Sequence, residues 1–253
     1  AGHDINYISL VGACHSIGHD GEPPVPPLNL IGDFGGGAML LAVGVLAALL
    51  ESKTSGQGQV VDAAMTDGTA TLMAALYGLY SAGMWSDLRQ NNILDGGAHF
   101  YNTYETKDKK YISIASIEPK FYEILKKLIS YEDQGNFAHK NKESWPANKK
   151  ELIEIFKQKT RDEWCELLEG TDVCYAPVLN LREAPEHPHN KERQTFTEIE
   201  GVIQPSPSPR FSRTPSSIQS PPSEIGENTN QVLREWGFTN DEISKLKNER
   251  VVG

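Results

Sequence analysis

The run from Ala38 to Leu50, AMLLAVGVLAALL, is the strongest constraint this chain places on its own fold. It carries no charge and no polar side chain, and its apolar residues cover every side of a helix. A helix apolar all round belongs in an interior. The run is short of the ~20 apolar residues that a membrane-spanning helix needs, and Gly44 interrupts it. It is therefore expected to be a buried helix of a soluble protein, with no membrane insertion.

The rest of the chain sets the class of that protein. Its 253 residues, 38% hydrophobic and 23% charged, suffice for one large or two modest domains. A net charge of −10 argues against nucleic acid as a partner. The three cysteines, Cys14, Cys165 and Cys174, are odd in number and not in metal spacing, which suits a reducing cytoplasmic setting. Val251-Val252-Gly253 is not a peroxisomal address.

Local patterns divide the chain. A helical start runs into a proline-rich loop, Gly18 to Pro27. Val60 and Val61 open a short strand, and a long helix is predicted from Ala63 to Ala82. A polar linker spans 85–99. Tyr101 to Thr106 and Lys110 to Ile114 alternate as a hairpin. Pro119 suits the first turn of a helix reaching about Ser130. Two further helices cover Lys149 to Thr160 and Arg161 to Glu169, with Thr160 and Glu163 spaced as a capping box. Pro177 marks an edge strand. Residues 183–222 read as a Pro- and Ser-rich extended connector, and two short helices close the chain. The expected organisation is 1–84 as part of a large domain, 85–99 as linker, 100–182 as a small α+β domain, 183–222 as connector, and 223–253 returning to the large domain.

Chemistry concentrates at a few places. Gly2-His3-Asp4-Ile5-Asn6-Tyr7 sets a side chain that titrates near neutrality beside a residue able to open a helix, where free N–H groups point outward. Leu28 to Gly37 contains Gly-Asp-Phe-Gly-Gly, and Ser116 to Tyr122 contains Ile-Glu-Pro. Taken alone, His3 could cap local structure, Asp33 could cap the helix after the glycines, and Glu118 could be a helix-start carboxylate favoured by the dipole. Gly35 to Gly37 lack the Lys and Ser/Thr of a phosphate loop and read as close packing. His187, His189, His15 and His19 read as solvated loop residues rather than metal ligands. The Lys-rich run from Lys140 to Lys150 reads as a solvated helical face. Trp145, Trp164 and Trp236 are expected in the core.

These segments, with Leu94-Asp95-Gly96-Gly97-Ala98 between them, closely resemble the class III CoA-transferase family, and in particular its branch of 2-methylacyl-CoA racemases. The likeness runs from Ala1 to about residue 215. It implies an α/β protein, with part of a large Rossmann-like domain, a small α+β domain and an interlocked homodimer. It also implies that the chain is the C-terminal portion of a longer protein, whose earlier part holds much of the CoA pocket. The anionic composition then requires that cations for the CoA phosphates be clustered locally or lie outside this chain.

The implied reaction belongs to fatty-acyl lipid metabolism. It interconverts (R)- and (S)-2-methylacyl-CoA thioesters through an enolate, with CoA as part of the substrate and no metal or redox cofactor. Two acid/base groups on opposite faces of the α-carbon are needed, with a donor at the thioester oxygen. The resemblance assigns His3 and Asp33 as the pair and Glu118 as the carboxylate supporting His3. The Asp4 N–H is the candidate oxyanion donor. Gly2, His3, Asp4 and Tyr7 are expected to contact the CoA thioester, and Asn6 and Tyr101 either line its path or pack the core. Two rivals remain. In a class III CoA-transferase, Asp33 would be a nucleophile forming an aspartyl-CoA thioester. Alternatively, the chain would be a non-catalytic dimerisation portion.

Overall fold

A computed structural model describes residues 1–133 and 141–253. The chain forms two compact units, Ala1–Val178 and Leu179–Gly253.

The first unit opens with α1 (Asp4–Leu10). A π-helical segment, Leu30–Met39, leads without a break into α2 (Leu40–Ser55), and α3 (Met65–Leu72) and α4 (Ala74–Ser81) follow. The long helix expected over 63–82 is divided at Met73, whose ψ of 0° turns the chain between α3 and α4. Residues 60 and 61 form no strand, and Val60 is exposed. Ile8, Ala13 and Cys14 form a small core here, with Val11, Ile31 and Met73 against it.

The expectation of a buried α2 is not met. The helix has no buried residue, and Leu41, Val43, Val45, Leu46, Leu49 and Leu50 are all exposed. With the π-helical segment, the apolar helix runs from Leu30 to Ser55, 26 residues, long and apolar enough to cross a membrane by length and composition alone. Apolar surface on this scale needs cover, and α2 does not find it among the described residues.

The remainder of the first unit builds its own core. β1 (Tyr101–Glu105), β2 (Tyr111–Ala115) and β3 (Tyr175–Val178) form an antiparallel sheet in the order β1-β2-β3. Ile112 and Ile114 are buried on one face of β2, as the period-2 pattern requires. Pro177 sits on the edge strand, where its missing N–H leaves no ladder bond unmade. α5 (Pro119–Ile129), α6 (Trp145–Phe156) and α7 (Arg161–Leu168) bring Tyr122, Leu125, Trp145, Leu152, Phe156 and Trp164 to this core. The Thr160–Glu163 capping box forms: Glu163 Oε2 accepts from Thr160 N at 2.7 Å and Thr160 Oγ1 from Glu163 N at 3.3 Å. The Arg161 N–H reaches Asp108 Oδ1 at 2.9 Å, tying the start of α7 to the hairpin turn. Partial burial works to raise the Asp108 pKa, but the Thr106 hydroxyl and the Arg161 amide outweigh it and hold the carboxyl low.

The second unit departs from a featureless connector. It contains α8 (Pro188–Glu192) and a hairpin of β4 (Phe196–Ile199) and β5 (Val202–Pro205). Glu200 and Gly201 both have positive φ, 51° and 82°, as the two central residues of a tight hairpin turn require. α9 (Thr229–Glu235) and α10 (Asn240–Asn248) close it. Thr239 caps α10, with Glu242 reaching back to its N–H at 2.8 Å. Trp236, expected in a core, is 81% exposed.

Candidate active site

His3 is the N-cap of α1, in extended conformation, and its N–H donates to Asn6 Oδ1 at 3.0 Å. That bond fixes the backbone of the entry turn and leaves the imidazole exposed. Asp4 follows as the first helical residue. Its N–H belongs to the first turn, where the helix offers no carbonyl partner. Gly2 packs under Tyr7: a Cβ at Gly2 would lie 3.0 Å from Tyr7 Cζ.

The Asp4 side chain takes the opposite direction. It is buried, and Oδ2 accepts the N–H of Gly32 at 2.8 Å and of Asp33 at 2.7 Å. Asp33 lies in the π-helical segment, where Phe34 N–H reaches back five residues to the Asn29 carbonyl at 3.3 Å. Its Oδ2 accepts from Asn29 Nδ2, also at 3.3 Å, and its side chain is half-buried. The residue directly after His3 thus holds the peptide nitrogen of Asp33. The two predicted acid/base residues, His3 and Asp33, are linked through Asp4, and Glu118 is the third predicted catalytic residue.

The third is elsewhere. Glu118 is the exposed N-cap of α5, and it shares no hydrogen bond with His3 among the described residues. Its carboxylate lies near Cys174, whose thiol pKa is raised by partial burial and then by Glu118. Tyr101 packs against the core of the sheet, which favours its structural reading.

The glycines of the motif serve close packing. A Cβ at Gly36 would fall 2.6 Å from Thr69 N, and one at Gly37 would lie 3.0 Å from the Gly32 carbonyl. Asp95 organises the loop that leads to the sheet: its carboxylate accepts from Asn91 N, Asn92 N and Gly97 N at 2.9–3.2 Å. Lys149 then donates to the Gly96 carbonyl at 2.9 Å. Burial lowers the Lys149 pKa against the opposing pull of Asp95. The solvated-face reading of the lysine run therefore fails at Lys149; Lys140 lies outside the described residues.

His15 is exposed, with Nε2 3.1 Å from the Asp87 carbonyl, and His19 Nδ1 is 3.0 Å from Gln90 Nε2. His187 caps α8 and His189 lies in its first turn. Among the described residues no group of three His, Cys, Asp or Glu is placed to hold a metal ion. Sequence reasoning missed the carboxylate bridge from Asp4 to Asp33. It also missed a cavity of about 320 Å³ lined in part by Gly12, His15, Met73, Tyr77 and Trp85. Within residues 1–100 the only Lys and Arg are Lys53 and Arg89. Arg89 is engaged with the carbonyls of His15, His19 and Glu22 at 3.0, 2.9 and 2.5 Å.

The profile of CoA-transferase family III matches residues 1–229, and the chain belongs to that family. Over its whole length it is 45% identical to the alpha-methylacyl-CoA racemase of Mus musculus and 41% identical to that of Homo sapiens. It covers 67% and 66% of those proteins, so it spans about two thirds of the length of the racemases it matches. Among solved structures, a CAIB/BAIF family protein from Brucella suis aligns with a TM-score of 0.76 at 22% identity, over 93% of this chain and 63% of that one. Rv3272 from M. tuberculosis aligns at 0.68 and 24%, over 90% and 61%. These two establish the fold, a mixture of helix and sheet in keeping with the α/β expectation.

Proposed function

We propose that this chain carries the proton-transfer centre of an enzyme that interconverts the epimers of 2-methylacyl-CoA thioesters. The observation that carries the reading is the junction of His3-Asp4 with Gly32-Asp33. One base removes the α-proton, and the electron pair moves to the thioester oxygen, where the Asp4 N–H stabilises the enolate. The other group delivers a proton to the opposite face of the α-carbon, and the thioester carbonyl re-forms. His3 and Asp33 exchange roles for the other epimer. The 45% and 41% identity to racemases supports this choice within a family that also includes CoA-transferases.

Glu118 is proposed to support His3 from a second copy of the chain in an interlocked homodimer, since the two share no hydrogen bond among the described residues of one copy. The exposed α2 is proposed to be covered by polypeptide outside these 253 residues. The scarcity of cations near the motifs suits CoA phosphates held from the same outside region. CoA is part of the substrate, no metal or redox cofactor takes part, and the setting is cytoplasmic.

The test is to give the full-length protein one epimer of a 2-methylacyl-CoA and resolve the product on a chiral phase, with and without a carboxylic acid acceptor. Racemisation that needs no acceptor supports the proposal. CoA transfer that depends on the acceptor, with an adduct at Asp33 trapped by hydroxylamine, overturns it in favour of a nucleophilic Asp33.

A further inference from the structure

The Asp4 carboxylate is a buried acidic group that the proposed reaction does not use. It is 6% exposed, and Oδ2 gathers two peptide N–H groups from a segment 28 residues further along the chain. Its other oxygen, Oδ1, is buried and has no hydrogen-bond partner. A carboxylate taken out of water with one oxygen unserved is costly to a fold. The site is also shaped around it: a Cβ at Gly32 would lie 2.5 Å from Asp4 Oδ2 and 2.9 Å from Ile8 Cγ2, so the segment can approach only with glycine there.

The two amides it holds are those of Gly32 and Asp33, and the Asp33 side chain departs from the same residue whose nitrogen is held. π-Helical turns are rare and are found frequently at functional sites. The clamp fixes the backbone at the one residue whose side chain must face a substrate. Because Asp4 is bonded covalently to His3, the clamp also sets the spacing between the two groups.

We propose that Asp4 is the positioning residue for Asp33, its carboxylate fixing the peptide of Gly32-Asp33 so that the Asp33 carboxyl stands opposite His3 across the substrate's α-carbon. This rests on the reading that Asp33 is a reacting group, and it holds for proton transfer and for nucleophilic attack alike. The role is separate from that of the Asp4 N–H, which survives any side-chain substitution.

The test uses Asp4→Ala and Asp4→Asn in the full-length protein, with two readouts. The first is hydrogen–deuterium exchange of the Gly32 and Asp33 amides, which reports the clamp without any turnover. Asp4→Ala should expose both amides, while Asp4→Asn, which keeps an acceptor of the same shape, should retain most of their protection. The second is the Asp33-dependent reaction, identified as whichever activity Asp33→Asn abolishes. Asp4→Ala should lower its kcat by about ten- to a hundredfold, the scale of a misplacement near 1 Å, with KM little changed. Asp4→Asn should recover most of that loss. Equal loss of His3-dependent and Asp33-dependent exchange, or amides as protected in Asp4→Ala as in the parent, would overturn the proposal. Should the parent transfer CoA rather than racemise, the proposed function fails while the amide readout and the kcat of transfer still decide the role of Asp4.

Discussion

Gly36 lies so close to Thr69 that a methyl group on it would sit 2.6 Å from the Thr69 nitrogen and 2.7 Å from its hydroxyl oxygen. The π-helical segment and α3 therefore meet backbone to backbone, with Gly68 on the other side of the same contact. Gly36→Ala should destabilise the protein by about 1–3 kcal/mol, the usual scale of overpacking. Urea unfolding measures this, and an unchanged midpoint would show that the contact is looser than the structure has it.

Lys149 links α6 to the Asp95-Gly96-Gly97 turn. Lys149→Met keeps the apolar stem and leaves the Gly96 carbonyl with Asn102 Nδ2, at 2.8 Å, as its remaining donor, which should cost about 0.5–1.5 kcal/mol. Lys149→Arg should recover part of it. Thermal unfolding of the three proteins decides the matter, and equal melting temperatures would make the contact incidental.

The legibility of the fold tracked how local its causes are. The α7 capping box, the β1–β2 hairpin, the Pro119 helix start and the edge position of Pro177 all depend on residues within a few positions of one another, and all were readable. The break at Met73 carries no Gly or Pro, so nothing in the sequence marks it. The β4–β5 hairpin was hidden in a Pro- and Ser-rich stretch, although Glu200-Gly201 between two apolar-rich segments was a usable turn signal. Burial of α2 was misjudged because an apolar helix fixes only that it needs cover, not which polypeptide supplies it. In the site, motif recognition singled out His3 and Asp33. The tie between them is a side chain-to-backbone bond over 29 residues, for which sequence has no local trace.

Tyr104 should make stability fall in alkali. It is buried, with its hydroxyl donating to the His99 carbonyl at 2.5 Å, and burial, then the nearby Tyr131, raise its pKa well beyond the ordinary value. Above pH ~10 the unfolded chain releases a proton that the folded chain keeps, so the stabilisation is complete below that pH and is lost as pH rises. Tyr104→Phe should be less stable by about 1 kcal/mol near neutrality and should lose less between about pH 9 and about pH 11. Parallel urea curves across that range test the sign; equal slopes would contradict it.

The exposed face of α2 should make the 253-residue chain, taken by itself, self-associate and bind apolar dyes. Leu46→Lys with Leu50→Lys places two charges on exposed positions and should reduce both effects without lowering the helical signal. Sedimentation velocity checks this. A monomeric parent chain that binds no dye would mean that α2 is covered from within.

The central claim is that His3 and Asp33 work on opposite faces of one α-carbon. Deuterium wash-in at that carbon, followed in heavy water from each epimer of a 2-methylacyl-CoA with no acid acceptor present, tests it most directly. Full-length protein should exchange both epimers. His3→Ala and Asp33→Asn should each slow exchange by at least about a hundredfold, with the larger loss falling on opposite epimers. Exchange from neither epimer in the unsubstituted protein, or losses that fall alike on both epimers in the two variants, would contradict a two-base racemase.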